Sequence, residues 1–271
     1  MALQSSLAKV SHLFDNVNFA ELFSRHRGAT LAALGLAVIT PFAIRDYLTY
    51  LSYGPGGLPY NAFGWLMSHS FRVLTREQLS TGAYDDRSLY RAERPGLLQP
   101  DFPPHRTPAR PQFGPHPVPQ RQVSQLPDEE TRKKLISRFE ALGKTAQEKG
   151  LVEIKQSILE LRHSALFVSK KRDWHPVAQQ MRGEITHVHA GVDGSVHVTL
   201  HPDDCKKIIE RGWGQRHGFS GVNAIKRIAG FSLPVTYVLV YAPRDETEIE
   251  VVLTIVKASV AFMSGSSLEL E

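Results

Sequence analysis

Ten of the chain's 17 prolines fall between Pro95 and Pro127. A stretch so dense in proline cannot run as a helix, because each ring removes an N–H donor and clashes with the preceding turn. It cannot form a central strand for the same want of donors. The 271-residue chain is therefore divided by a segment, 91–127, with no regular structure of its own. The composition suits an extended spacer or strap, with Phe102, Phe113 and Val118 as apolar anchors. A polyproline II ligand for an aromatic groove is the competing reading. Such a segment cannot wall a pocket with regular structure, so it is expected to be dispensable for chemistry.

On the N-terminal side, Gly28 to Ile44 is a run of 17 residues without a charge, bounded by Arg27 and Arg45. A spanning helix needs about 20 apolar residues, with about 17 as a lower bound. Arg45 can snorkel to the headgroups, with Tyr47, Tyr50 and Tyr53 at the interface. The run starts too late for a secretory signal. It predicts a membrane-anchoring helix, a buried core helix being the alternative. Lys9, Arg25 and Arg27 precede it, which favours a cytoplasmic N-terminus. Residues 60–75 are again apolar, but His69 and Arg72 interrupt them, so they suit an interfacial or packed helix. The chain divides into a tail (1–27), anchor and juxtamembrane helices (28–90), the proline-rich linker (91–127) and a compact domain (128–271).

Residues 151–271 hold 14 basic and 14 acidic side chains, against 18 and 13 in residues 1–150. A neutral C-terminal half has no basic face for phosphates, which argues against nucleic acid as a partner. The single Cys205 excludes an intramolecular disulfide framework and any multi-cysteine metal centre. The half reads as α+β: an antiparallel sheet packed by helices. Pro127 and Asp128 open a helix with Leu135, Ile136, Phe139 and Leu142 at helical spacing and Gly143 as its stop. Residues 158–168 are β-like, 184–200 a hairpin, and 234–241 a strand. His201-Pro202 opens a helix that Gly212 closes. Asp245 caps a final helix whose stripe of Ile249, Val252, Leu253, Val256 and Val260 should lie on the sheet.

Six of the 12 histidines fall between 175 and 217. In the hairpin, Gly191-Val192-Asp193-Gly194 suits a three-residue loop with a bulge, which sets 191 opposite 195 and 189 opposite 197. One face then carries His187, His189, His197 and Thr199, and the other Thr186, Val188, Ala190, Val196, Val198 and Leu200. A register slip of one residue would mix polar and apolar side chains on both faces. Three imidazoles on one face with Glu184 nearby can be metal ligands, acid/base groups without metal, or solvated surface histidines. The glycines around Trp213 imply a tight backbone path that presents the indole, then Arg216 and His217; a capped helix end followed by a packed tryptophan is the plain alternative.

The run GEITHVHAGVDGSVHVTLHPDDCKKIIERGWGQRHGFSG, followed by LPVTYVLVYAPRDETEIEVVLTIVKASVAFMSG, resembles the fungal luciferases, the membrane-associated enzymes of the hispidin-type pathway, and the wider group of luciferase-domain proteins. RDYLTYLSYGP at 45–55 and REQ…YD at 76–85 extend the resemblance over most of the chain outside the proline-rich stretch. It implies a single-pass, membrane-associated enzyme of the endoplasmic reticulum or microsomal membranes. It implies oxygenase chemistry with molecular oxygen as co-substrate: a 3-hydroxyhispidin-type aromatic hydroxypyrone takes up oxygen, forms a bridged peroxide, loses carbon dioxide and emits light. No organic cofactor or metal is implied. His187 or His189 would deprotonate the enol, His217 and Arg216 would stabilise enolate or peroxide, and Glu184 would orient a histidine. Trp213, His197, Thr199, Tyr241 and Arg244 would contact the substrate. Two other classes stay open: a metal-dependent oxygenase or hydrolase using His187, His189 and His197, and a membrane-tethered binding protein without chemistry.

Overall fold

The computed structural model describes residues 24–86 and 96–266. The expected tail up to residue 23, with Lys9, and the expected boundary at 90/91 lie outside the described residues. The chain divides into two compact units, residues 1–52 and residues 53–271.

In the first unit, α1 (Arg27–Ser52) runs unbroken for 26 residues through Pro41. Its apolar window has a mean hydropathy of 1.6 and no buried residue, so it is long and apolar enough to cross a membrane.

The second unit is α+β. Its strands are β1 (Val152–Gln156), β2 (Ser164–Val168), β3 (Glu184–Val188), β4 (Val196–Thr199), β5 (Gly214–Arg216) and β6 (Tyr237–Val240). They form one sheet in the order β1-β2-β3-β4-β6-β5, with every neighbouring pair antiparallel. The helices are α2 (Ala62–Phe71), α3 (Glu129–Glu148), α4 (Pro176–Gln180), α5 (Pro202–Glu210), α6 (Ala224–Ala229) and α7 (Glu246–Ser264). The Asp128 carboxylate caps α3 by accepting from Thr131 N–H, and Asp245 caps α7 by accepting from Glu248 N–H. The Glu248 side chain does not reach back to the cap. It binds Arg244 and Arg106 instead.

α3 and α7 bury their apolar stripes with Leu166, Ile185, Val188, Val196, Val198 and Val240 in one core. Gly143 does not stop α3, which runs on to Glu148. It is a close-packing position: a Cβ there would stand 2.8 Å from Leu166 Cδ2. The β-like run 158–168 also resolves differently. Only Ser164–Val168 is strand, while Ser157 to His163 is a loop closed by a Ser157 N–H to His163 C=O bond of 2.9 Å. That loop carries Glu160 to the opposite face of the sheet.

The hairpin keeps the expected faces but not the expected register. His187 pairs with His197, Thr186 with Val198 and Val188 with Val196. His189 N–H donates to Ser195 C=O, so the loop spans five residues, 190–194. The physical reason is Asp193. Its carboxylate turns inward to accept from Ser195 N–H (2.9 Å) and Ser195 Oγ–H (2.7 Å), which a three-residue turn would leave in solvent. A shift of two residues preserves the side-chain alternation, so the histidines still share a face.

Residues 96–127 contain no helix or strand, only an isolated bridge between Phe113 and Gln122. Proline supplies no N–H, so side chains make much of the attachment. Arg106 donates to Ala242 C=O and Glu248, Arg110 to Gly214 C=O, and Gln122 Oε1 accepts from Ala242 N–H. Val118 C=O accepts from Ser68 of α2. The segment nonetheless reaches the histidine face of the sheet, where Val118, Pro119, Gln120 and Arg121 line a cavity.

Candidate active site

The cavity encloses about 200 Å³. His187 and His189 come from β3 and the residue after it, His197 from β4, His217 from the turn after β5, and Tyr237 from β6. Phe71, Leu159, Phe219, Phe231 and Leu233 supply apolar walls. The ring centroids of His187, His189 and His197 lie 5.0 to 5.5 Å apart, and His217 stands 5.6 Å from His197.

A β-bulge determines the chemistry at His187. β2 pairs Leu166 with Thr186 but Phe167 with Glu184, so one residue of β3 is skipped. The bulge returns Glu184 to the face of His187, which simple alternation would deny it. Glu184 Oε1 lies 2.7 Å from His187 Nδ1 and accepts from Ser157 Oγ–H, while Oε2 accepts from Ile158 N–H. A carboxylate accepting on both oxygens fixes His187 as the tautomer with its proton on Nδ1. Nε2 is then the basic nitrogen.

His189 lies between carboxylates. Its Nδ1 is 2.9 Å from Ser195 Oγ and 3.3 Å from Asp193 Oδ1, and its Nε2 is 3.6 Å from Glu160 Oε2. Burial, aided by the Arg121 guanidinium, nonetheless holds it below the usual imidazole range, against the pull of Asp193 and Glu160. Burial alone would raise the Glu160 carboxyl. Its neighbours His189 and Arg121, the latter also through a hydrogen bond, carry it below its ordinary value. The Arg121–Glu160 pair closes at 2.6 Å with both side chains buried, and Arg121 also donates to the carbonyls of Tyr53 and Pro55.

The remaining imidazoles are neutral. Burial and the neighbouring histidines hold His197 well below its ordinary value and bring His217 to about 3. His217 Nδ1 accepts from Phe219 N–H, so Nε2 carries the proton. The His197 ring stacks on Tyr237 at 4.7 Å and 9°, and its Nδ1 has no partner. Burial, then Glu184 and Glu160, push the Tyr237 hydroxyl well above its usual value, which keeps it a donor. One nitrogen from each of His187, His189 and His197 lies within 4.8 Å of the others, a donor set that suits a transition metal.

Of the residues singled out from sequence, His187, His189, His197 and His217 line the cavity and Glu184 stands behind His187. The others do not line it. Arg216 donates to Glu77 C=O and Ser80 Oγ. Trp213 packs in the core and donates its indole N–H to Pro104 C=O at 2.5 Å. Thr199 is buried without a side-chain partner. The Tyr241 hydroxyl donates to Gln215 and accepts from Arg110, and Arg244 pairs with Glu248 and donates to Thr107 C=O. Sequence reasoning missed Tyr237, Arg121 and Glu160. Tyr237 has the parity of Tyr241 on the same strand, so alternation was a usable signal. The Arg121–Glu160 pair joins residues 39 apart and leaves no local pattern.

The model of the luciferase domain matches residues 182–259. A luciferase of Armillaria gallica is 31% identical over 258 residues, covering 89% of this chain and 90% of its own length. A luciferase of Armillaria mellea is 31% identical, covering 93% and 96%. A luciferase of Neonothopanus nambi is 30% identical, covering 94% of both. No solved structure matches the chain.

Proposed function

Because the chain belongs to the fungal luciferase family, we propose that it is an oxygenase of the hydroxypyrone class, joining dioxygen to a 3-hydroxyhispidin-type substrate without organic cofactor or metal. One observation carries this reading: a histidine with its outer nitrogen held by a buried carboxylate stands in a small, apolar-walled cavity. His187 Nε2 takes the enol proton, and Glu184 stabilises the imidazolium that forms. The electron-rich enolate then reduces dioxygen directly and bonds to it. The peroxide closes across the pyrone, expels carbon dioxide, and leaves a caffeoylpyruvate-type product in an excited state. The Tyr237 hydroxyl and His217 Nε2–H donate to the developing anion, and the aromatic and aliphatic walls exclude water.

In this reading α1 anchors the chain as a single-pass protein of an endoplasmic-reticulum-type membrane. The proline-rich segment serves as a strap that closes the cavity side of the sheet. The test is purified protein mixed with 3-hydroxyhispidin in air, with oxygen uptake, carbon dioxide release and light recorded together. One equivalent of each gas per substrate supports the reaction. Absence of oxygen uptake with intact protein refutes it, and uptake without light refutes emission alone.

The three-histidine donor set favours a second reading, a metal-dependent oxygenase or hydrolase. Turnover lost in chelator and restored by one divalent transition metal would establish it in place of the first.

A further inference from the structure

The helix that follows the membrane-anchor candidate has two faces of different character. Asn61 caps α2 by accepting from the N–H groups of Phe63 and Gly64. Its inner face carries Gly64, Ser68 and Phe71: Ser68 donates to Val118 C=O, and Phe71 lines the cavity. Its outer face carries Phe63 and Leu66, 63% and 54% exposed, and the turn that continues it adds Val73, 85% exposed. Scattered apolar residues on a surface are ordinary, but three large ones at helical spacing on one side of one element form a patch.

Two further observations identify what covers it. Nine residues lie between Ser52 and Ala62, a tether of at most about 35 Å from the end of α1. Residues 47–76 contain no Asp or Glu and two arginines, Arg72 and Arg76, both exposed. Within that segment an apolar outward face and two exposed cations, with no acid among them, suit the interface of an anionic leaflet.

We propose that the outer face of α2, formed by Phe63, Leu66 and Val73, lies in the headgroup region of the membrane that α1 crosses. This rests on the anchor reading above. It makes α2 a two-sided element, lipid on one side and the cavity's Phe71 on the other, so the cavity wall is held at the surface from which an aromatic, sparingly soluble substrate arrives.

Cys205 is fully buried, so added surface cysteines can be labelled selectively in the full chain. Phe63→Cys, Leu66→Cys and Val73→Cys would each carry a polarity-sensitive fluorophore, with Lys133→Cys on the exposed side of α3 as control. Each chain would be reconstituted into vesicles of phosphatidylcholine and phosphatidylserine. Labels at 63, 66 and 73 should emit at shorter wavelength than the control and be quenched several-fold more by nitroxide lipids than by aqueous iodide. The label at 133 should show the reverse. Chains that pellet with the vesicles while all four labels respond to iodide would overturn the proposal and leave the anchor standing. Chains that stay in the supernatant without detergent would overturn both. Labels at 63, 66 and 73 shielded from both quenchers would show a protein partner on this face and overturn the lipid assignment.

Discussion

Glu184 and His187 stand three residues apart on one strand, yet share a face and meet at 2.7 Å, because a bulge between them restores the alternation. The bulge therefore has a chemical consequence, since it fixes which imidazole nitrogen is basic. His187→Ala should lower turnover by about 10²- to 10⁴-fold, the usual contribution of a positioned base. Glu184→Gln should cost most of the same factor by removing the charge that stabilises the imidazolium. Single-turnover oxygen uptake with the melting temperature measured alongside checks both. A large fall in melting temperature with normal turnover in the surviving fraction would assign the pair to stability.

The opposite face gives the complementary expectation. Val188 is buried in the core beneath α3 and α7, one residue from His187 and on the other side of the sheet. Val188→Asp should prevent folding, because it buries an unpaired charge. Near-ultraviolet circular dichroism would show the loss, and a native spectrum would mean that the face assignment is wrong.

Stability should fall as pH falls, and the sign follows from the imidazoles. His189, His197 and His217 have native pKa values below the ordinary one, His217 at about 3. Above about pH 6.5 both native and unfolded states leave them neutral, and stability is complete. Below that, the unfolded chain binds protons that the native chain refuses, so unfolding gains up to about 1.4 kcal/mol per pH unit for each such group. Asp193 and Glu160, whose native carboxyls are held low, add to the loss below about pH 4.5. Denaturant titrations between pH 7 and 4 should show this slope, and His217→Gln should make it shallower.

Alternation made the histidine face legible in the sequence, because a polar and an apolar set separate along 186–200 in only one parity. The loop length was not legible, since it depends on a buried Asp193 carboxylate that local turn preferences do not contain. The four histidines carry short-range signals of strand and motif, and they reach the cavity. Trp213 and Arg216 carry an equally distinctive motif but spend their polar groups on Pro104, Glu77 and Ser80. The wall built by residues 118–121 was opaque for a different reason. Proline content excludes regular structure, but it says nothing about which side chains an irregular segment will bury.

Arg121 makes that wall testable. It is fully buried, paired with Glu160 and bonded to the carbonyls of Tyr53 and Pro55. Arg121→Met leaves the Glu160 carboxylate buried without its partner, which should cost about 3–5 kcal/mol. Adding Glu160→Leu removes the orphan charge and should recover a large part of that loss in denaturant titrations. Two losses that simply add would show that the pair is not coupled.

Two tyrosines on one strand separate the cavity from its surroundings. Tyr237 and Tyr241 have the same parity on and just beyond β6, but only Tyr237 lines the cavity, stacked on His197. The Tyr241 hydroxyl is committed to Gln215 and Arg110 beneath the proline-rich segment. Removing a donor to a developing anion costs about 10²- to 10³-fold in turnover, whereas removing an ordinary buried hydrogen bond costs about 1 kcal/mol of stability. Tyr237→Phe should therefore slow the oxygen-dependent step by about 10²-fold with little change in melting temperature. Tyr241→Phe should lower the melting temperature and leave turnover within a few-fold. The reverse pattern would move the reacting atoms away from His187 and toward Arg110, and would exclude the cavity as the site of the anion.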